Sequence, residues 1–425
     1  MKVTVSASKI QGEVKAIASK SVAHRYLIAA ALSDKKVFIT CHSVSEDILA
    51  TAECLKAMGA EIERTEHGFW ITPIDKRNID DSVKQLPCNE SGSTIRFLIP
   101  VVAALGIKGE FLRKGSLVSR PLKPLDEELE KKNSKLTDKE NGIVAVEGKL
   151  IPGSFTMPGN VSSQYITGLL FALPLLESDS EIHIIGELQS EDYVKITLDT
   201  LKAFQIRAEY RDNCFYIPGK QGYTVTGEQT VEGDWSNAAF FMTGAAIGKS
   251  EVTYENLNPL SLQGDKAVVN ILKNMGAKVS NKGNTYVIKG DNLTATDIDA
   301  KPIPDLVPIL ALAAAVAEGK TIIYNAERLR IKESDRLKTV YETLHALGAD
   351  VEEKESELVI HGKKKLKGGC VSSFNDHRIA MMAAIAAIVC DEEVTILKAE
   401  AVNKSYPGFY KDLEMLGANV RIDEE

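Results

Sequence analysis

An α/β fold of two similar domains, each holding three repeated units, is what these 425 residues predict, and three observations carry that expectation. First, a helix-to-strand block recurs: LKAMGAEI from Leu55, LEKKNSKL from Leu129, LKAFQIRA from Leu201, LKNMGAKV from Leu272, LHALGADV from Leu344 and LEMLGANV from Leu413. The starts are separated by 74, 72, 71, 72 and 69 residues, so six units span the chain. Second, an almost wholly apolar segment recurs at the same period. Third, the chain is too long for one ordinary core, and three units per domain is the economical packing.

The elements follow in order. Each block closes a helix at Gly, or at Asn133 and Gln205, and then alternates like a strand. Gly and Asn tolerate the left-handed residue that ends a helix; Gln205 fits this less well. Leu337, Val340, Tyr341, Leu344 and Leu347 show the spacing of a helix with one buried face. The second helix begins near Ser21, Ser93, Ser162, Asp234, Asp305 and Asp376, all good N-cap residues. Runs such as FLIPVVAAL and LVPILALAAAV leave it no polar face, so it must be buried on every side. Residues 1 to about 12 read as a strand able to pair with the last unit. The expected domains are therefore 1–12 plus 233–425, and 13–232, with hinges near 12–20 and 231–234.

Hydrophobic residues at 44% and charged residues at 26% are the ordinary mixture of a folded soluble chain. A net charge of −8 argues against a nucleic-acid or membrane-surface binder, which needs a basic surplus. Six scattered cysteines form no CxxC or Cys/His cluster, which points to free thiols in a reducing compartment. The amino terminus lacks a signal-type apolar stretch, and the run from Leu306 to Ala317 is too short to span a bilayer. A cytoplasmic protein is expected.

Buried helices that start on one side of a domain present free N–H groups and the positive dipole end there, a surface suited to phosphate and carboxylate. The residues near these starts, and in the loops opening the other helices, are small or charged: SKSVAHR, NESGSTIR, SRPLKP, PGNVSSQ, QSEDY, IPDLVP, RIKESDR, FNDHR and NKSYPG. They gather the cations Lys20, Arg25, Arg96, Arg120, Lys332, Arg336, Arg378 and Lys404. Any one of these alone could be a solvated surface charge. Their periodic placement in an acidic chain points instead to an anionic ligand.

Through SKSVAHR, ESGSTIRF, SRPLKPL, SSQYITGLL, SEDYVKIT, IPDLVP, RIKESDRL, FNDHRIAM and NKSYPGFY, the sequence closely resembles the enolpyruvylshikimate-phosphate synthases, or 3-phosphoshikimate 1-carboxyvinyltransferases, over its whole length. The resemblance implies two domains of three βαβαββ units each, the inside-out α/β barrel of the enolpyruvyl transferases, with a cleft between them. It implies transfer of enolpyruvyl from phosphoenolpyruvate to the 5-hydroxyl of shikimate 3-phosphate, with release of phosphate, in the shikimate pathway to chorismate and the aromatic amino acids. No cofactor and no metal are expected, nor nucleic-acid or membrane partners, and the chain should act as a monomer.

By the same resemblance Lys20, Ser21, Arg25, Ser162, Ser163, Gln164, Ser190, Tyr193, Asp305 and Lys332 hold shikimate 3-phosphate. Lys20, Gly92, Arg96, Arg120, Gln164, Arg336, Arg378 and Lys404 hold phosphoenolpyruvate. Asp305 is the base for the attacking hydroxyl, Lys332 and Glu333 handle the methylene proton, and Lys20 and His377 complete the catalytic set. The chemistry needs such a division, because one group must accept a proton while another supplies one.

Three departures from the family pattern stand out: Glu90-Ser91-Gly92-Ser93 replaces a common Asn-Ala-Gly-Thr run, Arg328 stands where some members have Asn, and unit two lacks the helix-ending Gly and is unusually charged from Glu130 to Asn141, where a mobile outer segment is expected. The sister UDP-N-acetylglucosamine transferase usually carries a Cys five residues before its Arg-Pro pair; here that position is Gly115. A non-catalytic anion-binding relative should have lost part of the set Asp305, Lys332, Glu333 and His377, all of which are present. Gln263-Gly264-Asp265 and Gly368-Gly369 read as turns without a nucleotide-binding context.

Overall fold

Each repeated unit runs strand, buried helix, strand, outer helix, strand, strand. The clearest comprises Ser154–Pro158, Ser163–Ala172, Ser180–Ile185, Glu191–Ala203, Glu209–Arg211 and Cys214–Ile217 in the computed structural model, which describes residues 1–6, 9–225 and 227–423. Its first two strands are parallel, as a helical crossover requires, and the last two add antiparallel. The spatial order first, second, fourth, third holds in six four-stranded sheets among the described residues.

Three sheets are completed by strands distant in sequence. Lys2–Ser6 lies between Val394–Leu397 and Asn419–Asp423, supplying the fourth strand of the last unit. Residues 7 and 8 of the expected first strand lie outside the described residues. Gly12–Lys15 pairs parallel with Glu251–Glu255, and Gln229–Thr230 pairs parallel with Val37–Thr40. Two compact units result: Met1–Ile17 with Glu232–Glu425, and Ala18–Val231. Residues 13–17 thus lie with the C-terminal unit, because Gly12–Lys15 belongs to its sheet.

Each unit has its own apolar core. The buried helices are Lys20–Ala31, Gly92–Leu105 and Ser163–Ala172 in one, and Trp235–Ile247, Val307–Val316 and His377–Ala386 in the other. Ile309, Leu310 and Leu312 are fully enclosed, each such burial contributing about 1.5–3 kcal/mol. Close approach of Gly92–Leu105 and Ser163–Ala172 depends on Gly168, where an added Cβ would stand 2.4 Å from the Arg96 carbonyl oxygen. That approach sets Arg96 beside Gln164.

All six block-ending residues adopt positive φ: Gly59, Asn133, Gln205, Gly276, Gly348 and Gly417. Gln205 takes the left-handed turn at φ 59° despite its side chain. The expected N-caps divide. Ser162, Asp234 and Asp376 cap their helices, with side chains accepting from Gln164, Asn237 and Arg378 N–H respectively. The other three do not. Ser91 replaces Ser93 as cap, freeing the Ser93 hydroxyl to accept from Gln164, and Ser19 precedes the first helix in place of Ser21. Leu306 precedes Val307–Val316, because the Asp305 carboxylate is engaged by cations.

The six cysteines are unbridged, five of them buried. No helix among the described residues is long and apolar enough to cross a membrane.

Candidate active site

In the Ala18–Val231 unit, side-chain hydrogen bonds tie the helix N-termini together. His24 Nδ1 meets the Thr51 hydroxyl at 2.7 Å, which meets the Thr94 hydroxyl at 2.7 Å, and Thr94 donates to the Ser91 Oγ at 2.7 Å. Beside them Arg25, 2% exposed, donates to Thr197 Oγ1 at 2.8 Å, the Ser21 carbonyl at 2.6 Å, the Tyr193 carbonyl at 2.9 Å and Thr167 Oγ1 at 3.4 Å. Every one of these partners is a neutral oxygen, and the guanidinium also lies over the Phe97 ring. Burial depresses the Arg25 pKa to about 9. His24 is held neutral first by burial and then by the charges of Lys20 and Arg25.

Lys20 opens the first helix and pairs with Asp47 at 2.8 Å. Ser163 is buried at the start of its helix. Ser190 precedes the helix Glu191–Ala203 in left-handed conformation, φ 53°, and is buried. Such a conformation costs of order 1–3 kcal/mol for a non-glycine residue and persists where the surroundings enforce it. Tyr193 follows in the first turn, its carbonyl held by Arg25.

A second group forms around Gly92. Arg96 donates to Gln164 Oε1 at 3.0 Å and to the Pro121 carbonyl at 3.2 Å; Gln164 Nε2 donates to Ser93 Oγ at 3.0 Å. A Cβ added at Gly92 would stand 2.7 Å from both Arg96 Nη1 and Arg120 Nη1. Two guanidinium groups therefore converge on Gly92, and a side chain there would have to push them aside. The departure at Glu90 has a steric complement: its carboxyl lies over Gly115, itself at φ 50°, where a Cβ would fall 2.5 Å from the carboxyl carbon.

In the unit formed by Met1–Ile17 and Glu232–Glu425 the cations are matched by carboxylates. Asp305 Oδ1 accepts from Arg336 Nη1 at 2.9 Å and Lys332 at 3.4 Å, and its Oδ2 accepts from Arg378 Nη2 at 2.9 Å. Arg336, 1% exposed, also donates to Glu333 at 2.6 Å and to Asp376 at 2.8 and 3.2 Å. Burial works to lower its pKa, but Asp376, Glu333 and Asp305 together raise it. Lys332 is lowered, by burial first and then by Arg328 and Arg336 against the opposing pull of Asp305. Asp376 is at once a helix cap, an acceptor for Ser334 and the anchor of Arg336. His377 is buried next to it, 3.9 Å from Asp376 Oδ1, and Lys404 is buried and donates to the Asn375 carbonyl at 2.7 Å.

Sequence reasoning misses Asp265. Its neighbourhood reads as a turn, whereas Gly264–Ala267 is a short 3-10 helix and Asp265 is buried, accepting from the Ser236 hydroxyl. Burial, then the nearby Asp305 charge, raises its pKa to about 7, while Arg378 works the other way. Nothing in the local sequence marks this aspartate as buried, because Gly264 before it and Lys266 after it have the character of an exposed turn. Asp47, the partner of Lys20, is likewise legible in the sequence only as a first-turn acidic residue.

Comparisons with known proteins agree with this fold. Residues 5–413 match the family EPSP synthase (3-phosphoshikimate 1-carboxyvinyltransferase). The 3-phosphoshikimate 1-carboxyvinyltransferase of Clostridium kluyveri is 45% identical over 426 residues, 98% of each chain. That of Clostridioides difficile is 44% identical, over 98% of this chain and 97% of the relative. The solved EPSP synthase of Acinetobacter baumannii superposes with a TM-score of 0.82 at 26% identity, covering 99% of this chain and 100% of the other. With a family match over nearly the whole length and relatives at 44% and 45% identity, this chain belongs to the EPSP synthase family.

Proposed function

We propose that the residues assembled above carry the reaction of this family, and that the chain works as a cytoplasmic monomer without a cofactor. The reaction transfers the enolpyruvyl group of phosphoenolpyruvate to the 5-hydroxyl of shikimate 3-phosphate and releases inorganic phosphate. The observation that carries the assignment is the Asp305 carboxylate held between Arg336, Arg378 and Lys332, within a chain of this family. Arg25, Lys20, Ser21, Ser162, Ser163, Gln164, Ser190 and Tyr193 take shikimate 3-phosphate. Arg96 and Arg120 at Gly92, with Gln164, Lys20, Arg336, Arg378 and Lys404, take phosphoenolpyruvate.

In the addition step the 5-hydroxyl oxygen bonds to C2 of phosphoenolpyruvate, its proton passes to Asp305, and a proton reaches C3 from Lys332 or Glu333. In the elimination step C3 returns that proton, the C2–O bond to phosphate breaks, and the proton held by Asp305 leaves with the departing phosphate. Cationic contacts favour the ionised form of Asp305, as a base requires, but also blunt its basicity. An anionic reactant that draws Arg336 and Arg378 to itself restores it. Burial makes Lys332 readier to release a proton than an exposed lysine. The surrounding guanidiniums stabilise charge on the tetrahedral intermediate, and His377 completes the set beside Asp376.

Phosphate release from phosphoenolpyruvate tests the reading directly. Turnover is expected with shikimate 3-phosphate and not with UDP-N-acetylglucosamine; release with the nucleotide sugar alone would overturn it.

A further inference from the structure

Strand Ser180–Ile185 of the Ala18–Val231 unit alternates between two faces. Ile182 and its cross-strand partner Phe215 are wholly buried on the core side. Glu181 and His183 therefore project together from the other face. Antiparallel register sets His183 opposite Cys214 and Glu181 opposite Tyr216, so Cys214 shares that outer face, although it is only 3% exposed. His183 Nε2 lies 3.0 Å from Glu181 Oε2, and the carboxylate oxygen, imidazole nitrogen and thiol sulfur all fall within 4.8 Å of one another.

From this juxtaposition we infer that Glu181, His183 and Cys214 form a binding site for one zinc-class divalent ion. Zn–N and Zn–O bonds near 2.0 Å and a Zn–S bond near 2.3 Å place the ligands of one tetrahedral ion roughly 3–4 Å apart, so small side-chain adjustments close the set. The donors choose the metal. Imidazole and thiolate favour borderline ions such as Zn²⁺ or Co²⁺ over Mg²⁺ and Ca²⁺, which demand oxygen. The carboxylate and imidazole are about half exposed, at 40% and 47%, so solvent reaches the ion and water supplies the fourth ligand. On binding, Cys214 gives its proton to solvent and ligates as thiolate.

Arg211, opposite Cys214 in the next strand, is a cation of the same hairpin. It is stacked over the Tyr216 ring at 4.5 Å, which holds its charge against the aromatic face. The site is separate from the residues assigned to enolpyruvyl transfer. Its consequence is mechanical: the ion cross-links Ser180–Ile185 to Cys214–Ile217, and the first of these strands leads into the turn carrying Ser190.

The test uses the full chain, stripped with chelator and titrated with Co²⁺. One equivalent should bind with a thiolate-to-cobalt charge-transfer band that Zn²⁺ abolishes. Cys214→Ser should lose the band, Cys370→Ser, at the exposed thiol, should keep it, and His183→Gln should weaken affinity at least about 10-fold. Absence of the band in the parent chain, or its survival in Cys214→Ser, would overturn the assignment. Should Cys214→Ser not fold, His183→Gln decides: unchanged affinity there equally removes the site.

Discussion

Arg25 and Arg336 are both buried, yet the groups around them differ in charge. Arg25, in the Ala18–Val231 unit, is surrounded by hydroxyl and carbonyl oxygens, and burial drags its pKa down. Arg336, in the other unit, touches Asp305, Glu333 and Asp376, which more than offset the same burial. Burial alone therefore decides neither the charge nor the role of a guanidinium; the formal charge of its partners does. The first arrangement leaves a cation wanting an anion, the second stores the cation on carboxylates that an incoming anion can replace.

The largest expected effect tests that replacement. Asp305→Asn keeps the size and removes the proposed base, and should lower turnover about 10²- to 10⁴-fold, while shikimate 3-phosphate, measured by calorimetry, still binds. Because Asp305 is not the helix cap, the variant probes chemistry without a capping loss. Near-normal phosphate release would leave Glu333 as the carboxylate of the mechanism.

Stability should separate the two arginines next. Arg336→Met removes the cation shared by three buried or half-buried carboxylates, although Asp305 keeps Arg378 and Lys332, so denaturant unfolding should show a loss of about 3–5 kcal/mol. Arg25→Met leaves neutral oxygens, two of which, the Thr167 and Thr197 hydroxyls, already meet at 2.9 Å. A loss nearer about 1–3 kcal/mol is expected, with shikimate 3-phosphate affinity reduced. Equal losses would break the comparison.

His24 sharpens it through pH. The folded protein holds this imidazole neutral, with a pKa well below 6.5, whereas the unfolded chain takes up a proton as pH falls through about 6.5. The unfolded state then binds more protons, so stability declines toward acid, by at most about 1.4 kcal/mol per pH unit from this group. His24→Gln should flatten that limb in unfolding titrations from about pH 7 to about pH 4. An unchanged slope would mean that neither burial nor the cations beside His24 hold it neutral.

The smallest effect concerns Gly92→Ala. The new methyl meets the flexible ends of Arg96 and Arg120 rather than backbone, so the fold should tolerate it. The KM for phosphoenolpyruvate should rise modestly and the Ki of a longer competitive analogue more; equal changes would show that the two guanidiniums move aside together.

Repetition makes the architecture legible from the chain alone. Repeat spacings of 69 to 74 residues, helix-stop residues and wholly apolar helices are local or periodic signals, and they suffice for six units because each unit repeats the same pattern of burial. The cations are legible as a group for the same reason. What stays hidden depends on neighbours far along the chain. Ser93 and Asp305 are as good N-caps as Ser162, yet Gln164 claims one side chain and Arg336 with Arg378 the other. Asp265 reads as a turn residue until Ser236 and Asp305 are seen beside it. Which strand completes which sheet is decided only in three dimensions, where Gly12–Lys15 finds Glu251–Glu255 and Gln229–Thr230 finds Val37–Thr40, each pair at opposite ends of a long stretch of sequence. Propensity and period act within a turn or a repeat, whereas charge compensation and strand exchange act between segments that only the folded chain brings into contact.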